Sequence, residues 1–503
     1  MEASQSKRPF LAFIIKDKTN RTFLWVALVV LLIEWILFKI VYPYPDFFQD
    51  SYSYIDAAAR NLDINIWPIG YSKFLRLFHF FTHSPTVLVT SQFLFLEISL
   101  LYLFFTIRYW LKPNNLISAI LFLFFFCNPL VLYISNYVAS DGIFCAISAI
   151  WFAELIWVLF SRNSGPIWIQ AICIFLAFTL RYNACYYIII TAAAYFLSNK
   201  RALIKWAGAL SAIPLLIGFW LFSRHAYQEM AGTPKFSILS GWQIANNALY
   251  IRSHIEVDPA TLSNKECILL DNSSKKFFAS QDADFQDVLD SYPGDFFVQV
   301  WRAPLKAYML QYYGRPSIRT WAEVSPVFSQ YGRAIILSHP IQYGRYFLLP
   351  NARRYFFPSL EKLEVYNMGD SVVWPAGVTW FNYPSNKIKV TSAGLQGYFL
   401  AWIPYLFLYA NLLTIVYTGW YLLGRKKRAP DNMANQWIYL AGSFWICNFL
   451  FSVLSTVNVL RYQFFPMIIT VAYLLGVIER LFSTDRLISP RFKDIAPKNA
   501  TIS

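Results

Sequence analysis

Removing a proton from a nucleophile needs a base, commonly a carboxylate, and stabilising a departing phosphate needs cations. Acids and arginines at the edges of apolar blocks are therefore the first residues to weigh. The stretch Tyr42-Pro43-Tyr44-Pro45-Asp46-Phe47-Phe48-Gln49-Asp50-Ser51-Tyr52-Ser53-Tyr54-Ile55-Asp56 places Asp46, Asp50 and Asp56 directly after such a block. Asp141 stands between Ser140 and Gly142 at the start of another block, Arg181 ends a third, and Arg461 opens the last. Each has a bland reading. Asp50 suits the N-cap of a helix Ser51–Arg60, and Asp141 suits a cap of its own block, because Asp is a preferred cap residue. Arg181 and Arg461 suit snorkelling to lipid headgroups. Ionisable groups near a bilayer are costly unless they meet a partner or a cavity. The convergence of both signs on one face, from sequence-distant blocks, is what favours chemistry.

The elements that must position these groups are membrane helices. Apolar residues make up 57% of 503 positions and charged residues 14%, against roughly a quarter charged in soluble domains. The apolar residues arrive in blocks near the roughly 20 residues that cross a bilayer core. The expected fold is an all-α polytopic membrane protein with about ten spans: 22–42, 85–110, 116–135, 139–160, 166–181, 184–198, 203–223, 396–423, 436–455 and 463–482. The first block follows a polar, basic stretch and lacks a small-residue cleavage pattern, so it reads as an anchor rather than a cleaved signal.

Lys and Arg enrichment in short cytoplasmic loops orients the bundle. With the amino terminus inside, the inner segments hold Lys7, Arg8, Lys16, Lys18 and Arg21; Arg108 and Lys112; Arg162; and Lys200, Arg201 and Lys205. They continue with Arg425-Lys426-Lys427-Arg428 and a tail carrying Arg486, Arg491, Lys493 and Lys498. Residues 1–21 and 483–503 are then cytoplasmic tails, 22–223 carry seven spans, and 396–482 carry three. Segments 43–84 and 224–395 lie on the opposite face of a cell membrane, an inner membrane if the source is bacterial. The net charge of +15 is accounted for by these loop ends, with no nucleic-acid partner needed. Cys127, Cys145, Cys173, Cys185 and Cys447 fall in apolar blocks and leave Cys267 alone in the long polar segment, which excludes a disulfide framework there.

In the first outer segment, Trp67-Pro68-Ile69-Gly70-Tyr71 is a turn signal. It leads into a juxtamembrane helix, Tyr71–His83, with Phe74, Leu75, Phe78 and Phe81 opposite Lys73, Arg76, His79 and His83. Its basic stripe suits a lipid phosphate or plain headgroup contact. His79 and His83 have helical metal-ligand spacing but no carboxylate beside them, so a divalent metal is not supported. In 224–395, the pieces Phe296–Tyr313 and Tyr343–Phe357 read as interfacial amphipathic helices, with a compact domain resting on the membrane as the alternative. Glu34, Glu97 and Glu154 lie in or near apolar blocks and keep a transporter in view.

The chain resembles the polytopic GT-C glycosyltransferases, which include protein O-mannosyltransferases and aminoarabinose transferases. Four places carry the resemblance: Asp50-Ser51-Tyr52-Ser53-Tyr54 with Ala57-Ala58; Trp67-Pro68-Ile69-Gly70-Tyr71; Asn128-Pro129 through Asp141-Gly142; and Arg461-Tyr462-Gln463-Phe464-Phe465-Pro466. Many members carry two adjacent acids in the first loop, and here Ser51 takes the second place, which argues against a metal role. The resemblance implies transfer of a sugar from a polyprenyl-phosphate donor to a lipid, glycan or protein acceptor at the outer membrane surface. It casts Asp50 as the base and Asp141 as orienting it or the acceptor. Arg181, Arg461, Arg76 and Lys73 would serve the donor phosphate, and Tyr54, Trp67, Tyr71 and Tyr462 the substrates. A lipid or solute transporter is one alternative. A glycan polymerase or ligase using Arg315, Arg319, Arg333, Arg345, Arg353 and Arg354 is another.

Overall fold

The computed structural model describes residues 9–161, 167–262, 264–424, 432–455 and 457–483. Lys7, Arg8, Arg162, the run Arg425–Arg428 and the tail residues Arg486, Arg491, Lys493 and Lys498 lie outside the described residues. Among the described residues the fold is all-helical with no strand, and eight helices are long and apolar enough to cross a membrane. These are Lys18–Val41, Pro85–Leu111, Asn115–Asn136, Asp141–Phe160, Ala202–Ala231, Leu395–Gly424, Met433–Ser455 and Leu460–Phe482. The fifth and sixth expected spans correspond to shorter apolar helices, Ile167–Leu180 and Tyr182–Leu197. At 1.5 Å per residue the first of these runs about 21 Å, short of a hydrocarbon core of about 30 Å.

Residue patterns explain the packing. Asp141–Phe160 is apolar on every side and accordingly sits inside the bundle, packed along Pro85–Leu111. Lys18–Val41 leaves Trp25, Leu28, Leu32, Ile36, Leu37 and Ile40 exposed, the surface expected where lipid is the solvent. The Asn115–Asn136 segment breaks at Asn128-Pro129. Proline cannot donate within a helix, and Asn128 Oδ1 accepts the Leu130 N–H at 3.1 Å to start the next helix.

Segment 224–395 builds its own core instead of lying flat. Helices Leu239–Arg252, Lys265–Ala279, Pro304–Tyr312 and Ile318–Ser338 close around Trp242, Phe297, Phe328 and Tyr331. Inside it, Arg252 holds Asp271 through two bonds of 2.6 and 3.1 Å. Leu239–Arg252 and Ile318–Ser338 cross closely: a Cβ at Gly241 would lie 2.0 Å from the Ser325 carbonyl oxygen. The expected interfacial helix Phe296–Tyr313 is therefore corrected to two short helices, Phe296–Gln299 and Pro304–Tyr312. Their Phe297, Leu305 and Met309 are spent on this core. Likewise Leu349–Phe356 buries Asn351 and Tyr355 against the bundle, with Asn351 Nδ2 donating 2.9 Å to the Val453 carbonyl.

The first loop forms helices Gln49–Ala59 and Gly70–Phe81. Leu75 is buried and Phe74 and Phe78 pack on the core, as the pattern predicts, but Phe81 stands exposed beside Leu77 and Phe80. The loop and segment 358–396 are stitched together at one end of the bundle. The Asn367 N–H donates to Asp46 Oδ1 at 2.8 Å, the Asp46 N–H to the Asn136 carbonyl at 2.9 Å, and the Thr391 N–H to the Val41 carbonyl at 3.3 Å.

Candidate active site

Two predicted caps turn out to have other work. Asp50 is the second residue of Gln49–Ala59, and Phe48 precedes that helix with its N–H donating to Ser51 Oγ at 3.2 Å. Asp141 opens Asp141–Phe160 without capping it. Both carboxylates turn instead to cations. Arg461, at the start of Leu460–Ser483, is buried with its guanidinium among three acids. Nε lies 3.1 Å from Glu361 Oε2, Nη1 3.4 Å from Asp141 Oδ2, and Nη2 3.5 Å from Asp50 Oδ2. Arg181 Nη1 pairs with the other oxygen of Asp141, and the Arg181 guanidinium stacks 3.7 Å from the Tyr462 ring centroid. Both arginines serve this cluster rather than snorkelling outward.

Glu361 and Lys362 complete the cluster. Lys362 Nζ lies 3.3 Å from Asp50 Oδ2 and 3.6 Å from Glu361 Oε1. Glu361 adopts a left-handed backbone (φ 52°), a conformation that costs a non-glycine residue about 1–3 kcal/mol and persists only where surroundings enforce it. Here the Leu460 N–H donates to the Ser359 carbonyl at 2.9 Å, and the Tyr137 hydroxyl donates to the Lys362 carbonyl at 2.6 Å. The strained turn is thus clamped between the starts of the helices that carry Arg461 and Asp141. Burial disfavours charge on both residues, yet Arg461 and Lys362 hold the Glu361 carboxyl below its usual range, and Asp50 and Glu361 hold the Lys362 ammonium above its own.

These groups open on a cavity of about 430 Å³. Asp50, Asp141, Arg181, Arg461, Tyr54, Trp67 and Tyr462, all selected from sequence, line it. Tyr54 places its hydroxyl 3.3 Å from Ser140 Oγ. Three others do not line it. Lys73 pairs with Asp63 at 2.7 Å, Arg76 donates to the Ala58 carbonyl at 3.1 Å, and Tyr71 is buried behind Tyr54 with its hydroxyl on Gln92 at 2.7 Å. Arg315, Arg319, Arg333, Arg345, Arg353 and Arg354 are also absent from the lining. His79 stacks on Trp380, and among the described residues no three ligating side chains gather for a metal.

Glu361, Lys362 and Asp295 were missed from sequence. An acid–lysine pair in a polar loop reads as a solvated surface, and Asp295 follows Pro293-Gly294 as an ordinary turn acid. The signal that could have drawn attention is the Glu361-Lys362 pair flanked by Leu360 and Leu363, too short to carry a prediction. Comparison of the chain with protein-family models, curated proteins and solved structures finds no match.

Proposed function

We propose that the chain is a membrane glycosyltransferase of the GT-C type. It would transfer a sugar from a polyprenyl-phosphate donor to an acceptor hydroxyl on the extracytoplasmic face. The observation that carries the reading is the cavity in which Asp50 meets Lys362 and Arg461 at one end of an apolar helix bundle. A lipid-linked donor offers its phosphate at headgroup depth, so a site for it belongs at such an end.

The chemistry follows from the pairing. Asp50, Asp141 and Glu361 balance Arg181, Arg461 and Lys362, so an arriving phosphate must take cations already engaged. Lys362 and Arg461 both pair with Asp50 Oδ2. Their transfer to the phosphate leaves Asp50 free to accept a proton. The acceptor oxygen then attacks the anomeric carbon, the bond from that carbon to the phosphate oxygen breaks, and the electron pair leaves on the polyprenyl phosphate. Asp50 takes the acceptor proton, while Lys362 and Arg461 hold the developing phosphate charge. One displacement inverts the anomeric centre. Asp141 keeps Arg181 and Arg461 in register.

Purified protein incubated with a panel of radiolabelled polyprenyl-phosphate sugars should release polyprenyl phosphate and transfer label to an acceptor. Folded protein that consumes no donor from the panel would overturn the reading.

A further inference from the structure

The cavity has two walls of different character. One carries the ion-pair cluster. The other comes from residues 236–299 and holds Ser240, Gln243, Asp295 and Gln299, uncharged apart from Asp295, with Phe236 and Trp67 close by. Asp50, Asp141 and Glu361 each lie within ion-pair distance of a cation, and Asp295 does not. Its Oδ2 accepts from Gln299 Nε2 at 2.9 Å, while its buried Oδ1 has no hydrogen-bond partner. An unmade bond on a buried carboxylate is expensive, about 1–3 kcal/mol or more, unless a ligand completes it.

The placement of Asp295 is built. Gly294 turns the chain at φ 105° and its carbonyl accepts from Asn246 Nδ2 at 2.8 Å. The Pro293 carbonyl accepts the Asn458 N–H at 3.4 Å, three residues before Arg461. Behind it, the Phe296 N–H donates to the Tyr250 hydroxyl at 3.3 Å and the Phe297 N–H to Asn246 Oδ1 at 3.1 Å. The turn is therefore held between the separate helical core and the helix that carries Arg461.

We infer that Asp295 and the neutral wall beside it form the acceptor subsite, and that the acceptor is a neutral carbohydrate. The inference rests on the transferase reading for its place in a reaction. A carboxylate with one unpartnered oxygen takes hydrogen bonds from sugar hydroxyls, amide and hydroxyl side chains exchange bonds with others, and aromatic rings cover apolar sugar faces. No lysine or arginine of this wall lines the cavity to hold an anionic acceptor: Lys306, behind it, donates to the Gln299 carbonyl at 2.7 Å. The groups facing Asp295 are Glu361 and Lys362 from the strained turn, Arg461 from its helix, Lys306 from Pro304–Tyr312 and Tyr250 from Leu239–Arg252. Burial first, and Glu361 second, push the Asp295 carboxyl up to about 6. Acceptor binding should therefore strengthen as pH rises through that value, because the ionised form accepts hydroxyl bonds best.

The test uses full-length protein in nanodiscs. Binding of neutral methyl hexosides is followed by saturation-transfer NMR, and transfer is followed with labelled polyprenyl-phosphate hexose. Asp295→Asn should weaken glycoside binding and raise the acceptor KM roughly tenfold or more, the worth of one charge-assisted hydrogen bond. It should leave donor KM and thermal stability near wild type and abolish the pH dependence of glycoside binding. Gln243→Ala should weaken binding in the same direction. Glycoside binding unchanged in Asp295→Asn, or transfer that ignores glycosides in favour of peptide hydroxyls or lipid headgroups, would overturn the subsite. Wild type that binds glycosides through Asp295 yet consumes no donor would overturn the transferase reading and leave the subsite standing.

Discussion

The Tyr137 hydroxyl donates to the Lys362 carbonyl at 2.6 Å, and so ties the connection leading into Asp141 to the turn that presents Glu361 and Lys362. Gln396 Nε2 donates to the same hydroxyl at 3.0 Å. Tyr137 therefore acts from outside the cavity, by holding the strained turn in its shape.

Tyr137→Phe keeps the ring on Phe48 but leaves the Lys362 carbonyl and the Gln396 amide short of a partner. We expect a loss of stability of about 1–3 kcal/mol, with turnover falling more than donor KM rises. Thermal unfolding and steady-state kinetics check this. Unchanged turnover would show that the turn holds its shape without Tyr137.

Asp50→Asn separates the base from a merely structural acid. Asp50 does not cap its helix, so the substitution should leave Gln49–Ala59 formed. Asn cannot take a proton as a carboxylate does, and transfer should fall by roughly 10² to 10⁴-fold. Asp46→Asn and Asp56→Asn should lose less, because Asp46 serves the Asn367 N–H and Asp56 pairs with exposed Arg60. Full activity in Asp50→Asn would remove its assignment.

How much of this was legible in sequence depends on the kind of residue. The apolar blocks marked the helices because a bilayer demands length and apolarity. Asp50, Asp141, Arg181 and Arg461 stood out because charge at a block edge is unusual. Lys73 and Arg76 stood out for the same reason and misled, since a basic stripe on a short helix finds local partners such as Asp63 and the Ala58 carbonyl. Glu361, Lys362 and Asp295 lie in polar sequence, where charge is unremarkable. Only long-range contacts of their turns with Tyr137, Asn458 and Leu460 make them part of the cavity. The separate core of 224–395 was blurred for a related reason: its aromatic residues read equally well as membrane-facing.

Arg461 compensates three carboxylates at once, the buried Asp50 and Asp141 and the half-buried Glu361. Arg461→Ala leaves Asp50, Asp141 and Glu361 with fewer cations than charges and should destabilise the protein by about 3–5 kcal/mol. Arg461→Lys keeps the charge but not the planar fork, so it should fold better and still lose donor use. Thermal unfolding in detergent, read beside donor turnover, distinguishes them. Equal stability of wild type and Arg461→Ala would place Arg461 outside the cluster in solution.

Topology can be measured directly. Reporters inserted after Arg201 should be cytoplasmic, and one within 260–290 extracytoplasmic. A cytoplasmic signal from 260–290 would put the cavity on the wrong face for the proposed donor.

Asp46 gives a stability signature that requires no substrate. It is buried outside the spans, and burial pushes its carboxyl from 3.8 up to about 8, with the Asn367 N–H opposing. A pKa raised on folding means the folded state binds the proton more tightly. The stabilisation is complete below the unfolded value and is lost as pH rises through about 8. Wild type should therefore lose thermal stability from pH 5 up to about pH 8 and level off by pH 9. Asp46→Asn keeps an oxygen for the Asn367 N–H and carries no charge to bury. Its melting temperature should fall less across the same range and exceed that of wild type at the alkaline end. Parallel curves for the two proteins would mean that Asp46 is ionised throughout, and that its bond to Asn367, rather than its proton, holds the first loop to segment 366–372.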